Sequence, residues 1–185
     1  FKSPAELALM KKSAKIAAAA HTQAMQYCTP GVTEYQVQAK IEHHFQNNKC
    51  PTAYSSIVGG GANACVLHYT ENADELQDGD LVLIDAGCEF QYYASDITRT
   101  FPVNGRFSVA QKDLYNVVLA AQLAAIAKVK PGNYWNQPHD AAVKVLAQGL
   151  IKLGLLSGNL KEVIKRGDYR RFYMHRTGHW LGMDV

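Results

Sequence analysis

The 185-residue sequence lacks the features that mark several common classes of protein. Its net charge is only +3, and no basic stripe with interleaved aromatic residues is present, so nucleic-acid binding is not expected. No apolar run is long enough to span a membrane, and the first residues show no signal-peptide pattern. The four cysteines have no C-x-x-C spacing, and a domain of this size needs no disulfides, so we expect reduced thiols in a cytoplasm.

The sequence contains enough hydrophobic residues, 48% of the total, to form one substantial core. The chain begins with Phe1 rather than Met, so we expect it to start inside a longer protein.

Capping boxes and Pro-Gly pairs predict four helices. Ser3, Pro4 and Glu6 form an N-cap, a proline at the first helical position and a capping-box acid. Boxes of the same kind begin at Thr33 and Ser108. The predicted helices run from 3 to about 28, from 33 to about 48, from 108 to about 130, and over 139–154.

Short β-favouring runs occupy the middle of the chain, at 55–60, 65–70, 81–87, 89–94 and 96–103. Gly, Asn and Asp turns separate them, which predicts a curved antiparallel or mixed sheet and an α+β fold. Gly59, Gly60 and Gly61 are followed by no Lys-Ser or Lys-Thr, so a tight turn is favoured over a phosphate loop.

The order helix, Pro-Gly, helix occurs twice, with Pro30-Gly31 echoed by Pro131-Gly132. This spacing indicates a duplicated unit whose second copy has lost part of its sheet. The alternative is that Pro-Gly is simply a common helix terminator.

Two aspartates are the strongest candidates for a functional site. Asp85 ends the apolar run LVLI, which predicts a strand buried on both faces, and Asp96 opens the next predicted strand. Carboxylates brought together across a hairpin repel each other unless a divalent ion lies between them. The alternative is that Asp96 caps a turn and that Asp85 pairs with Arg99.

Three histidines are further candidates. His68 is predicted on a short strand leading to a turn, at the same end of the sheet as Asp85. His175 and His179 are four apart, but the residues between them favour a loop and lack the Glu of a zinc-protease helix. One imidazole among carboxylates suits manganese, iron or cobalt. Four other histidines are expected to be surface or partly buried polar residues: His21, His43, His44 and His139.

The segments at 57–72 (IVGGGANACVLHYTEN), 78–107 (DGDLVLIDAGCEFQYYASDITRTFPVNGRF) and 172–185 (FYMHRTGHWLGMDV) strongly resemble the Xaa-Pro aminopeptidases (aminopeptidase P) of the pita-bread metallopeptidase family. The resemblance covers essentially the whole chain. It implies a pita-bread (creatinase/aminopeptidase) fold, with a curved mixed or antiparallel sheet, helices on its outer face and an incomplete second half. Residues 1–185 would be a catalytic domain truncated at its C-terminal end, without the family's usual N-terminal domain.

The resemblance also implies roles for the candidate residues. Asp85 would be a terminal ligand of one metal, Asp96 would bridge two metals, and His179 would bind the other. His68 and His175 would be catalytic residues that support the metals or contact substrate. The cofactors would be two divalent ions, most simply Mn²⁺, and two glutamates beyond the last residue would complete the site. A His-Asp pair is also expected immediately after Val185.

One position departs from the family pattern, in which the first histidine of the pair is followed by Gly. This chain has Arg176 there. If the position requires a positive φ, the arginine is strained; otherwise it is an ordinary variant that adds positive charge near the substrate.

The implied activity is release of an N-terminal residue that precedes proline, by attack of a metal-bridged hydroxide on that peptide bond. Substrates would be peptides with proline at the second position, and the intact enzyme would form dimers or tetramers in the cytoplasm. The 185 residues alone are expected to retain metal poorly and to be weakly active. Alternatives are a prolidase-type dipeptidase and a non-catalytic pita-bread module that binds other proteins or serves as a scaffold.

Overall fold

The structure is a computed structural model that describes residues 1–185. The chain forms two compact units. The first consists of Phe1–Phe107 and Trp180–Val185, and the second of Ser108–His179. The helices are α1 (Pro4–Tyr27), α2 (Glu34–Asn47), α3 (Val109–Ile126), α4 (Asn136–Lys152) and α5 (Leu160–Arg166). The strands are β1 (Ile57–Gly60), β2 (Leu81–Ala86), β3 (Glu89–Phe90), β4 (Tyr93–Ala94) and β5 (Ile97–Pro102), and 3₁₀ helices cover Gly61–Cys65 and Asp168–Arg171.

The capping boxes begin the helices where the sequence predicts. At α1, the Ser3 hydroxyl accepts from the Glu6 backbone N–H, and the Glu6 carboxylate accepts from the Ser3 N–H. The Pro-Gly pairs also behave alike, because Gly31 has a φ of 88° and Gly132 a φ of 87°. The repeated order helix, Pro-Gly, helix is therefore confirmed, and the duplication that we infer from it stays a prediction.

The first unit packs α1 and α2 on a three-stranded antiparallel sheet in the order β1-β2-β5. In β2 burial alternates: Val82, Ile84 and Ala86 are fully buried, whereas Leu83 and Asp85 on the other face are half-buried. The prediction of a strand buried on both faces is therefore wrong. Helices cover only one face of this antiparallel sheet, which leaves Asp85 on the more open face.

The connection from β2 to β5 is longer than the single predicted hairpin, because β3 and β4 form a small hairpin of their own within it. Its two-residue turn, Gln91 and Tyr92, has positive φ at both positions, as a type I′ turn requires. The connection closes where Gly87 meets Ser95, and a Cβ on Gly87 would lie 1.7 Å from the Ser95 carbonyl oxygen. Only glycine permits this approach.

Two other local predictions are wrong. Residues 65–70 form no strand, because Gly61–Cys65 is a 3₁₀ helix and His68 lies in a turn with a φ of 56°. Gly59 and Gly60 belong to β1 rather than to a tight turn, and Gly61 begins the 3₁₀ helix.

A buried carboxylate explains why this part of the chain leaves the sheet. Glu34, at the start of α2, is fully buried. Its Oε1 accepts from the Gly60 N–H (2.7 Å) and the Asn63 side-chain amide (3.0 Å). Its Oε2 accepts from the Tyr69 hydroxyl (2.8 Å) and the Asp74 N–H (3.0 Å). These four hydrogen bonds to one carboxylate fix the path of the chain from the end of β1 to residue 74.

The second unit packs α3 against α4, and α4 against α5, with no strand of its own. Helix α3 leaves several large apolar side chains exposed: Val109, Leu114, Val118, Leu119, Leu123 and Ile126. Helices without a sheet are what the sequence predicts for this half. No helix of the chain is both long and apolar enough to cross a membrane.

We expect Glu34→Gln to destabilise the first unit by about 1–3 kcal/mol, because an amide nitrogen cannot accept from the donors that surround the carboxylate. Urea unfolding measures the loss, and Glu71→Gln, at an exposed position, should change stability by less than about 0.5 kcal/mol. Equal unfolding free energies for the wild type and Glu34→Gln would contradict this interpretation.

Candidate metal centre

The register of the sheet brings the two predicted aspartates together. Asp85 pairs with Thr98 across β2 and β5, and Asp96 is two residues before Thr98, so both acids lie on the same face as diagonal neighbours. Both are half-buried. The expectation that the two carboxylates share one site is supported by this geometry, although Asp96 precedes β5 rather than opening it.

A tyrosine joins the two carboxylates. The Tyr54 hydroxyl lies 2.7 Å from Asp85 Oδ1 and 3.1 Å from Asp96 Oδ1. A phenol has one proton, so it donates fully to only one of these oxygens at a time. Burial raises the pKa of Tyr54 well above its usual value, and the two neighbouring carboxylates raise it further. The phenol therefore stays protonated and acts as a donor.

Sequence reasoning missed Tyr54. It precedes β1 in the segment PTAYSS, which has no periodicity or spacing that links it to Asp85. The one available signal is that β1 would pair with the strand that carries Asp85, which places the residues before β1 near that aspartate.

Arg99 does not neutralise Asp85. Its guanidinium donates to the Thr98 carbonyl oxygen at 2.7 Å, and no ion pair joins it to Asp85. The alternative pairing considered from the sequence is thus not found. Two carboxylates around one hydroxyl form an oxygen-rich, negatively charged cluster, which is the kind of site that Mn²⁺ or Mg²⁺ prefers.

His68 belongs to the same unit as the two acids and has an exposed side chain. The chain on its C-terminal side is tied to the start of the sheet through Asn72, whose side chain accepts from the Val58 N–H (2.9 Å) and donates to the Ser56 carbonyl (2.8 Å). The turn that carries His68 is therefore anchored, and its catalytic role stays a prediction.

His175 and His179 lie in an irregular segment of the second unit, as the sequence predicts. Thr177 anchors that segment, because its hydroxyl lies 2.9 Å from His139 Nδ1 and 2.6 Å from the Tyr173 hydroxyl. His139 is half-buried, as the sequence predicts, but its contact with this segment could not be read from spacing. Burial lowers its pKa, and the charge of the nearby arginine at 176 lowers it further.

Arg176 is not strained. It does not adopt a positive φ, and its guanidinium donates to Asn136 Oδ1 at 2.6 Å. The position therefore tolerates a side chain, and Arg176 is an ordinary variant that ties the segment to the start of α4.

Two members of the predicted ligand set, Asp85 and Asp96, lie together within the first unit. No group of three or more His, Cys, Asp or Glu side chains is arranged to hold a metal ion. Asp85 and Asp96 form the part that is in place, and ligation by His179 stays a prediction.

Residues 8–185 match the sequence profile of metallopeptidase family M24. The chain belongs to this family. It is 52% identical over 187 residues to the Xaa-Pro aminopeptidase of Haemophilus influenzae, and 47% identical over 186 residues to that of Escherichia coli. All of the chain is covered, but it spans only 43% and 42% of the length of these relatives.

Solved structures agree with this assignment. The aminopeptidase PepP of Pseudomonas aeruginosa matches with a TM-score of 0.99 and 52% identity, over 100% of this chain and 42% of that one. Zinc-substituted Escherichia coli aminopeptidase P in complex with product matches with a TM-score of 0.98 and 47% identity, also over 42% of its length. The predicted family and its pita-bread α+β fold are confirmed, and membership of a metallopeptidase family implies use of a divalent metal.

Proposed function

We propose that this member of family M24 is part of a metal-dependent aminopeptidase that releases an N-terminal residue preceding proline. Support comes from relatives that match the whole of this chain and are Xaa-Pro aminopeptidases. The observation that carries the proposal is the convergence of Asp85 and Asp96 on the Tyr54 hydroxyl, since a module without catalysis has no need of paired half-buried carboxylates.

The residues present fit a divalent metal. The Tyr54 hydroxyl lies within hydrogen-bonding distance of one oxygen on each of Asp85 and Asp96, and each carboxylate has further lone pairs for a cation. We propose that Asp85 and Asp96 hold two divalent ions, with His179 as a ligand of one, and that the ions are Mn²⁺, because oxygen ligands with a single imidazole suit it. When bound, such ions polarise a carbonyl and lower the pKa of water, which is the chemistry that peptide hydrolysis requires.

The remaining roles belong to side chains near the substrate. We assign His68 as the N–H donor to the oxygen that becomes negatively charged when the carbonyl before proline is attacked. His175 is proposed to support or contact the substrate from its irregular segment. Asp85 would also attract the ammonium group of the peptide, which limits release to the first residue.

The proposal extends to the state of the whole protein. Residues 1–185 are proposed to belong to one catalytic pita-bread domain, with weak activity of their own, because two acids and one histidine are an incomplete ligand set. The intact enzyme is proposed to be a dimer or tetramer acting on peptides in the cytoplasm. Free thiols at all four cysteines support that location.

The direct test is an assay of the complete gene product that contains residues 1–185, supplied with Mn²⁺. We expect release of alanine from Ala-Pro-Ala, little release from Ala-Ala-Ala, and little cleavage of the dipeptide Ala-Pro. Removal of metal by a chelator should abolish the activity, and added Mn²⁺ should restore it. Cleavage of Ala-Pro alone would indicate a prolidase-type dipeptidase, and cleavage of none of the three would favour the scaffold alternative.

A second test addresses His68. We expect His68→Ala to lower kcat on Ala-Pro-Ala by about 100- to 1,000-fold, which corresponds to loss of one oxyanion donor of about 3 to 4 kcal/mol. His43→Ala, which removes an exposed histidine from α2, is the matched control and should retain normal turnover. Unchanged turnover in His68→Ala would show that His68 has another role.

A further inference from the structure

The Tyr54 hydroxyl contacts both carboxylates of the proposed site. We propose that Tyr54 is a positioning residue, which holds Asp85 and Asp96 side by side so that their remaining oxygens can meet a divalent ion. The inference rests on the proposed function, because it concerns the same metal site.

The first argument is that Tyr54 is itself held in place independently of the two acids. The strand-like segment before it runs along the connection after β2: the Glu89 N–H donates to the Pro51 carbonyl and the Ala53 N–H donates to the Gly87 carbonyl, both at 2.9 Å. An isolated antiparallel β-bridge between Thr52 and Cys88 adds to this pairing. The backbone next to Tyr54 is thus held by pairing that does not involve Asp85 or Asp96.

The second argument is that the ring of Tyr54 occupies the space that a side chain on Gly87 would need. A Cβ placed on Gly87 would lie 3.1 Å from Tyr54 Cε1. The ring therefore packs against the point where the connection between β2 and β5 closes, which limits its movement. A fixed ring places the hydroxyl between Asp85 and Asp96 at 2.7 and 3.1 Å.

The third argument concerns charge. Two carboxylates at this separation repel each other, and in the absence of a donor they would turn apart. The Tyr54 hydroxyl lies within hydrogen-bonding distance of the Oδ1 atom of each and can donate its one proton to either, which favours one orientation of both side chains. Because a carboxylate has about four acceptor positions, this contact leaves room for a cation on the same two groups.

Groups that orient metal ligands without touching the metal commonly change metal affinity by about 10- to 100-fold when they are removed. We therefore expect Tyr54→Phe, which keeps the ring and removes only the hydroxyl, to weaken Mn²⁺ binding by that amount. The experiment is a calorimetric titration of the complete gene product with Mn²⁺, together with the visible absorption spectrum of its Co²⁺ form. The spectrum should change, because the geometry of the ligands changes.

Tyr93→Phe is the matched control. The Tyr93 hydroxyl donates to Glu6 Oε1 at 2.8 Å, so this variant also removes a hydroxyl from a carboxylate in the same unit, but the carboxylate belongs to α1 and is not a proposed metal ligand. Mn²⁺ affinity and the Co²⁺ spectrum should match those of the wild type. Circular dichroism and thermal unfolding of each variant establish that it is folded.

The outcomes separate this inference from the proposed function. If the wild type binds Mn²⁺ and Tyr54→Phe binds it equally well with the same Co²⁺ spectrum, the positioning role is wrong and the metal site stands. If the wild type binds neither Mn²⁺ nor Co²⁺, the proposed function fails and the inference fails with it. Equal weakening in Tyr54→Phe and Tyr93→Phe would also overturn the inference, because the effect would then not be specific to the acid pair.

Discussion

The close approach of Ser95 to Gly87 determines where the two carboxylates of this chain lie. A side chain on Gly87 would collide with the Ser95 carbonyl oxygen, so the connection between β2 and β5 can close here only on glycine. The Ser95 hydroxyl then bonds to the backbone of Cys88 on both its N–H and its carbonyl, at 3.0 Å each. This closure places Asp96 beside Asp85 although a complete small hairpin lies between them in the sequence.

The same unit uses another carboxylate, the fully buried Glu34, for a different purpose. Glu34 is surrounded by four donors and fixes the chain between β1 and Asp74, whereas Asp85 and Asp96 converge on the Tyr54 hydroxyl. A carboxylate with its acceptor positions filled contributes to the fold. A pair that holds like charges close together is suited to bind a cation.

How much could be predicted from the sequence depended on whether the signal was local. The helix starts at Ser3, Thr33 and Ser108 were correct, because a capping box is formed by residues three apart. The run at 65–70 has strand-like composition, but Glu34 holds Asn63 and Tyr69 from across the unit and overrides it. The pairing of adjacent predicted strands is enough to find Asp85 and Asp96. Tyr54, which contacts both acids, cannot be found in this way, because its position depends on contacts distant in sequence.

The central claim is that Asp85 and Asp96 bind a common divalent ion, and anomalous diffraction tests it most directly. Crystals of the complete gene product grown with Mn²⁺ should show an anomalous peak within bonding distance of both carboxylates, with the Tyr54 hydroxyl still in contact with them. A map of Mn²⁺-loaded crystals with no peak at either aspartate, or with peaks only elsewhere, would contradict the claim.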